Sequence, residues 1–178
     1  MTPQTSVLVR TFNEERHLPK LLYGLARQTY RDYELVFVDS GSYDRTREIA
    51  ESHGGRILRI DSRDFTFGYS LNVGTEACQG KYIVNVSAHM KPLDDLWLES
   101  LVAPLADEQT AMVYGKQVGW ETSKYSDTRD LLRTFGPKGK RLKPPDFFAH
   151  NANSAIRKDL WEMHRFDEAQ GGKPFDAN

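Results

Sequence analysis

The sequence has almost no cysteine and no long apolar run, and each absence excludes a class of protein. Cys78 is the single cysteine among 178 residues, so an intramolecular disulfide is excluded and a reducing compartment is favoured. No stretch approaches the roughly 18 consecutive apolar residues that a membrane-spanning helix needs. The first residues contain no basic segment followed by an apolar one, so no signal peptide is expected. We therefore expect a cytoplasmic protein.

Neither sign of charge is in surplus. The chain has 24 Lys and Arg residues against 25 Asp and Glu residues, which gives a net charge of −1. This balance gives no reason to expect nucleic acid as a partner. The length and the 39% content of hydrophobic residues predict one domain with a single core, covering residues 1–178.

Short apolar runs alternate with helical patterns along the first half of the chain. The predicted strands are Ser6–Val9, Tyr33–Val38, Arg56–Ile60 and Tyr82–Val86. The predicted helices cover Leu18 to Gln28, Asp44 (as the cap) to Ser52, and Tyr69 to Cys78. This alternation is typical of parallel βαβ units, so we expect an α/β fold with helices on both faces of a sheet.

Fewer elements are predicted in the second half. The pattern indicates a helix at Leu96–Leu105, strands at Ala111–Tyr114 and Asn153–Ile156, and a helix from Lys158 to His164. The basic segment Lys138–Pro145 is interrupted by glycine and proline and is interpreted as a surface loop.

Polar residues cluster where three of the predicted strands end. These clusters are Thr11–Glu14 after the first strand, Asp39–Ser42 after the second and Ser87–His89 after the fourth. The carboxyl ends of parallel strands meet at one edge of a sheet, and ligands bind there at the switch in strand order. The three loops are therefore expected to form one site.

Several segments, in this order, resemble the family 2 glycosyltransferases. They are Ser6–Glu15, Gln28–Tyr30, Glu34–Thr46, Phe67–Gly74, Ser87–Pro92, Asn151–Arg157, Leu160–Trp161 and Phe166–Glu168. The resemblance implies the GT-A-type nucleotide-diphospho-sugar transferase fold, with a mostly parallel central sheet. It also implies an inverting transfer of a sugar from a nucleoside-diphosphate sugar to an acceptor hydroxyl. Relatives continue with C-terminal helices that this chain is expected to lack.

The resemblance implies which residues hold the nucleotide. Thr11, Phe12, Asn13 and Glu14 would line the pocket of the base, and Asp39 would accept hydrogen bonds from the base or the ribose. Read without the resemblance, Asn13 and Glu14 are a helix-start pattern and Asp39 forms a turn.

The donor's sugar and diphosphate are expected near Asn72, Ser87 and His89. The family usually places Asp-X-Asp after the fourth strand to hold a divalent cation, and here Ser87-Ala88-His89 stands in its place. An imidazole suits Mn²⁺ better than Mg²⁺, so His89 is predicted to be the metal ligand of a manganese site. The alternative for His89 is a partly buried histidine that is hydrogen-bonded to backbone. Many relatives have arginine where Leu71 stands, so that ionic contact is absent.

Inversion also needs a general base. The resemblance places it at Asp176, with Asp167 and Glu168 as second choices. Asn151 and Asn153 resemble the acceptor side of the family's site, although buried asparagines also commonly tie loops together.

The acceptor is expected to be a glycan or a lipid-linked saccharide, as in polysaccharide biosynthesis. Lys138–Lys143 could contact a phosphorylated lipid at the inner face of the membrane, or be a solvated loop. A homodimer is compatible with the sequence. The main alternative is a non-catalytic nucleotide- or sugar-binding module of the same fold. A nucleotidyltransferase or a dehydrogenase is disfavoured, because Arg10–Glu14 contains no glycine.

Overall fold

A computed structural model describes residues 2–119, 124–136, 139, 141–143 and 150–169 of the chain. Its strands are β1 (Thr5–Thr11), β2 (Tyr33–Asp39), β3 (Arg56–Arg59), β4 (Tyr82–Ser87), β5 (Met112–Tyr114) and β6 (Asn153–Arg157). They form one six-stranded sheet in the order β3-β2-β1-β4-β6-β5. The pairings among β1 to β4 are parallel, and β6 runs antiparallel to both of its neighbours. The sheet is therefore mostly parallel, as predicted.

The helices of the described residues connect these strands. They are α1 (Leu18–Ala26), α2 (Thr46–Ser52), α3 (Phe67–Ala77), α4 (Trp97–Val102), α5 (Tyr125–Phe135) and α6 (Lys158–Met163), with 3₁₀ helices at Ser62–Asp64 and Ala103–Ala106. Within the described ranges, no helix has both the length and the apolar character needed to cross a bilayer.

β1 lies at the centre of the sheet and is covered on both faces. Val7, Leu8 and Val9 are all fully buried, although successive side chains of a strand point to opposite faces. Val7 and Val9 pack with the leucines of α1 and with residues of α2 and α4. Leu8 packs on the other side with Leu71 of α3. Helices therefore cover both faces of the sheet, which confirms the predicted α/β architecture.

The predicted elements up to residue 87 are all present, and their ends agree with the prediction to within about two residues. The prediction of Asp44 as the cap residue of α2 is wrong in detail. α2 begins at Thr46 with Arg45 at the cap position. The carboxylate of Asp44 accepts the N–H of Thr46 at 2.9 Å from just outside the helix.

The second half departs more from the prediction. The helix predicted at Leu96–Leu105 is α4 followed by a 3₁₀ helix. Pro104 explains the change, because proline has no N–H to donate to the carbonyl of Ser100. α5 was not predicted, because its sequence is mostly polar and contains few apolar residues.

Gly80, between α3 and β4, provides a test of the packing at the amino ends of β1 and β4. A Cβ at Gly80 would lie 2.5 Å from the backbone nitrogen of Ser6 and 2.8 Å from the Cα of Thr5. Because backbone cannot move aside cheaply, Gly80→Ala should lower the free energy of unfolding by about 1–3 kcal/mol in urea denaturation. The matched control is Gly139→Ala, whose Cβ would meet no atom of the described residues within 4 Å. Equal denaturation midpoints for the two variants would contradict this packing.

Candidate functional site

The carboxyl ends of β1, β2 and β4 lie side by side. Thr11, the last residue of β1, pairs in register with Asp39 of β2, and Arg10 pairs with Ser87 of β4. The order of the strands reverses at β1, and ligands of open α/β sheets bind at such a switch. The three polar loops therefore meet at one edge, as their positions after the strands predicted.

The loop after β1 is tied to the loop after β2. Asn13 has a left-handed backbone with φ of 54°, which asparagine tolerates better than most residues. Its N–H donates to Oγ of Ser42 at 2.9 Å, and its Oδ1 accepts the N–H of Tyr43 at 3.0 Å. The N–H of Glu14 donates to the hydroxyl of Thr46 at 2.7 Å. Asn13 thus fixes the two loops relative to each other.

Asp39 is almost fully buried, and its carboxylate shapes the same edge. Its Oδ2 accepts the N–H groups of Gly41 and Ser42 at 3.2 and 3.0 Å. Its Oδ1 accepts the hydroxyl of Thr11 at 3.3 Å. A carboxylate has about four acceptor positions. Three are occupied within the protein, so one acceptor position has no donor among the described residues.

The loops after β1 and β2 each contribute one aromatic side chain beside Asp39. Phe12 and Tyr43 contact each other edge-to-face, with ring centroids 6.3 Å apart. Tyr43 is 84% exposed. The pair presents aromatic surface beside Asp39, where a planar base could stack.

The loops after β1 and β4 meet through Glu14 and His89. Nδ1 of His89 lies 3.3 Å from Oε1 of Glu14, and the hydroxyl of Ser87 lies 3.1 Å from Nε2 of the same imidazole. The side chain of His89 is 65% exposed, whereas that of Glu14 is 19% exposed. The sequence placed Glu14 with the nucleotide base, and the structure places its carboxylate against His89.

This contact determines how well a divalent cation would fit. Among the described residues, no group of three or more His, Cys, Asp or Glu side chains could hold a metal ion. Glu14 and His89 offer one carboxylate oxygen and one imidazole nitrogen, which is one protein ligand more than the sequence predicted. A bound cation would take its remaining ligands from substrate and water.

Asn72 makes all its hydrogen bonds inside the protein. Its Nδ2 donates to the carbonyl of Phe166 at 2.9 Å and to Oε1 of Glu168 at 2.8 Å. Its Oδ1 accepts from Nε1 of Trp161 and from the N–H of Phe166, both at 3.0 Å. These are the four bonds that an amide can make. The predicted contact of Asn72 with the donor would require one of them to break.

Asn153 ties two elements together, which is the alternative that the sequence left open. It is buried at the start of β6, and its Oδ1 accepts Nε1–H of Trp97 at 3.0 Å. Asn151 is half-buried in the preceding turn. That turn lies beside the loop after β4, because the N–H of Ser87 donates to the carbonyl of Ala152 at 3.0 Å. Asn151 is therefore nearer to the strand-end edge than its distance in sequence suggests.

Asp176, the predicted base, lies outside the described residues, and so do Lys138 and Lys140 of the basic segment. Asp167 and Glu168, the second choices for the base, are exposed. Glu168 is engaged with Asn72. The proposed role of Asp176 stays a prediction.

Arg10 is a candidate that the sequence analysis missed. Its guanidinium carbon lies 4.9 Å from the ring centroid of Phe67, at the start of α3. Burial lowers the pKa of this guanidinium to about 10. No carboxylate of the described residues forms an ion pair with it. The available signal was a charged residue inside an otherwise apolar strand.

Comparison with known proteins identifies relatives along most of the chain. Residues 6–163 match the family described as glycosyl transferase family 2. The chain is similar to an uncharacterized glycosyltransferase of Haemophilus influenzae, at 31% identity over 92% of this chain and 54% of the relative. It is also similar to the putative glycosyltransferase EpsH of Bacillus subtilis, at 24% identity over 92% of this chain and 50% of the relative. The chain thus spans about half the length of these relatives.

Solved structures share the fold. TarS 1-349 of S. aureus superposes with a TM-score of 0.69 at 19% identity, covering 95% of this chain and 52% of TarS 1-349. The mannosyltransferase PcManGT of Pyrobaculum calidifontis, solved in complex with GDP-Man and Mn²⁺, gives a TM-score of 0.70 at 21% identity, covering 98% and 50%. The predicted GT-A fold is confirmed.

The variant Asn72→Ala tests whether the hydrogen bonds of Asn72 stabilise the fold. The change leaves the N–H groups of Trp161 and Phe166 without their acceptor, so the free energy of unfolding should fall by about 1–3 kcal/mol in urea denaturation. Gln79→Ala, at an exposed position just after α3, is the control and should behave as the wild type. A wild-type midpoint for Asn72→Ala would indicate that these hydrogen bonds do not form.

Proposed function

We propose that this chain, which belongs to glycosyl transferase family 2, transfers a sugar from a nucleoside-diphosphate sugar to a hydroxyl group of an acceptor. The observation that carries the proposal is the meeting of three strand-end loops, which brings Asp39, Glu14 and His89 to one edge of the sheet. The shared fold with PcManGT, solved with GDP-Man and Mn²⁺, supports a donor of this class.

The nucleoside would bind over the loops after β1 and β2. The aromatic pair Phe12 and Tyr43 offers a surface for the base, and the free acceptor position of Asp39 suits a ribose hydroxyl or a base N–H. Asn13 holds both loops in place. In this orientation the diphosphate points towards Ser87 and His89.

Glu14 and His89 would hold a divalent cation between the loops after β1 and β4. Their mixed oxygen and nitrogen donors favour Mn²⁺ over Mg²⁺, which prefers oxygen ligands. A cation bound there would offset the negative charge that develops on the leaving diphosphate.

The proposed reaction is a direct displacement with inversion. The acceptor oxygen attacks the anomeric carbon on the side opposite the diphosphate. The bond from that carbon to the phosphate oxygen breaks, and the nucleoside diphosphate leaves with the bonding electrons. The proton of the acceptor hydroxyl passes to a carboxylate base. We assign this base to Asp176.

The acceptor in this proposal is a saccharide or lipid-linked glycan, reached from the side of Asn151. The reaction would take place in the cytoplasm, at the inner face of the membrane where the acceptor is lipid-linked. A homodimer is compatible with this arrangement.

One observation favours a second candidate, a nucleotide-sugar-binding module without turnover. Among the described residues, no group of three or more His, Cys, Asp or Glu side chains could hold a metal ion, and at this edge only Glu14 and His89 contact each other as a pair of that kind. A donor-hydrolysis assay distinguishes the two candidates. Binding of a donor without its consumption, with or without acceptor, would favour the module.

Nucleotide binding can be measured as a shift in melting temperature. UDP, GDP, dTDP and CDP are each added with and without Mn²⁺. At a concentration about one hundred times the dissociation constant, a ligand stabilises the folded state by about 2.7 kcal/mol. At least one of the four should raise the melting temperature, and Mn²⁺ should increase the shift. Absence of any shift with all four would contradict the proposed function.

The metal site is tested by His89→Ala and Glu14→Gln. Each change removes one of the two protein ligands, so the increase caused by Mn²⁺ should be lost while the shift with nucleotide alone remains. His164→Ala and Glu162→Gln alter exposed residues of the same types and should retain the increase. An undiminished effect of Mn²⁺ in His89→Ala would show that the cation binds elsewhere.

A further inference from the structure

Arg10 differs from two arginines that follow strands at the carboxyl edge, which are exposed and paired with carboxylates. Arg45 pairs with Glu48 at 3.1 Å, and Arg63 pairs with Asp61 at 2.7 Å. The side chain of Arg10 forms no ion pair or hydrogen bond with any described residue, although the residue is partly buried. Removing a cation from water without a partner costs free energy. A partly buried guanidinium without an anionic partner therefore indicates a functional role rather than a role in stabilising the fold.

The side chain of Arg10 points to the α3 face of the sheet. Side chains alternate along β1, so Arg10 lies on the same side as Leu8, which packs against α3. Its neighbour on β4 is Ser87, in register across the parallel pair. The hydroxyl of Ser87 contacts His89. Arg10 is therefore next to the loop that would receive the diphosphate.

The groups around Arg10 leave its hydrogen-bonding edge available. The ring of Phe67 lies over the guanidinium carbon at 4.9 Å. Such a contact uses the planar face of the group, while the N–H donors point outwards from its rim. The residue in register on β4 is a serine rather than an aspartate, so no carboxylate is placed there to neutralise the cation.

We propose that Arg10 binds the diphosphate of the nucleotide donor through its N–H groups and supplies positive charge beside the leaving group. This inference rests on the proposed function, since it assigns a residue to the diphosphate of that donor. A guanidinium fits phosphate oxygens in a bidentate manner, which a lysine cannot reproduce. The contribution of Arg10 does not depend on a metal ion.

The test compares nucleosides with their diphosphates by isothermal titration calorimetry. Wild type, Arg10→Met and Arg10→Lys are titrated with uridine and UDP, guanosine and GDP, and the corresponding thymidine and cytidine pairs, in EDTA and in Mn²⁺. In Arg10→Met the preference for diphosphate over nucleoside should fall roughly tenfold to a hundredfold, the loss expected for charge-assisted hydrogen bonds. Affinity for the nucleoside should stay at the wild-type value. Arg10→Lys should retain part of the preference.

A structural role would give a different result without ligand. Arg10→Met removes a partly buried cation that has no carboxylate partner, so its melting temperature should equal or exceed that of the wild type. A purely structural arginine would lower it when replaced. Arg59→Met is the matched control, because Arg59 is the exposed last residue of β3, two strands away from β1. This variant should keep the full preference for diphosphate.

The outcomes separate the two proposals. If the wild type binds a diphosphate more tightly than its nucleoside and Arg10→Met keeps that preference, the assignment of Arg10 is overturned while the proposed function stands. If Arg10→Met and Arg59→Met lose the preference for diphosphate to the same extent, the assignment of Arg10 is overturned as well. If the wild type binds none of the diphosphates, the proposed function fails and the inference fails with it. If Arg10→Met does not fold, the measurement on Arg10→Lys replaces it. A wild-type preference of Arg10→Lys for diphosphate over nucleoside would then overturn the bidentate contact.

Discussion

The candidate site depends on the parallel pairing of β1 with β2 on one side and with β4 on the other. The registers Thr11 with Asp39 and Arg10 with Ser87 end the three strands at one level, so their loops start from a common line. Burial of Val7, Leu8 and Val9 holds that register. A slip of β1 by one residue would exchange the faces of all its side chains and place Arg10 in the core beneath α1.

The alternation of side chains along these strands divides the edge into two halves. Thr11 and Asp39 lie on the face that α1 and α2 cover, together with the hydrogen bonds that join the first two loops. Arg10 and Ser87 lie on the face that α3 covers. A ligand that spans the edge would thus meet an aromatic and hydrogen-bonding surface at one end and a cation at the other. This polarity agrees with a nucleoside joined to phosphates.

Much of the fold could be predicted because the local spacing of apolar residues identifies its helices and strands. The leucines of α1 and the apolar run of β1 each identify their own element, and the positions of the strand ends then predict where the loops meet. The contact of Glu14 with His89 and the bonds of Asn72 to Trp161 join residues far apart in sequence, so local patterns contain no signal for them. Arg10 was overlooked because a strand motif is normally interpreted by its apolar residues.

The bonds of Asn72 have a consequence for the molecule as a whole. Together with Gly68, where a Cβ would lie 2.1 Å from the carbonyl oxygen of Asp167, they join the first turns of α3 to the segment Phe166–Glu168. In the sequence that segment comes shortly before Asp176, the residue assigned as the base, and α3 lines the half of the edge that holds Arg10. Chimaeras that exchange the C-terminal segment with a relative would therefore need to exchange the contacting residues of α3 at the same time.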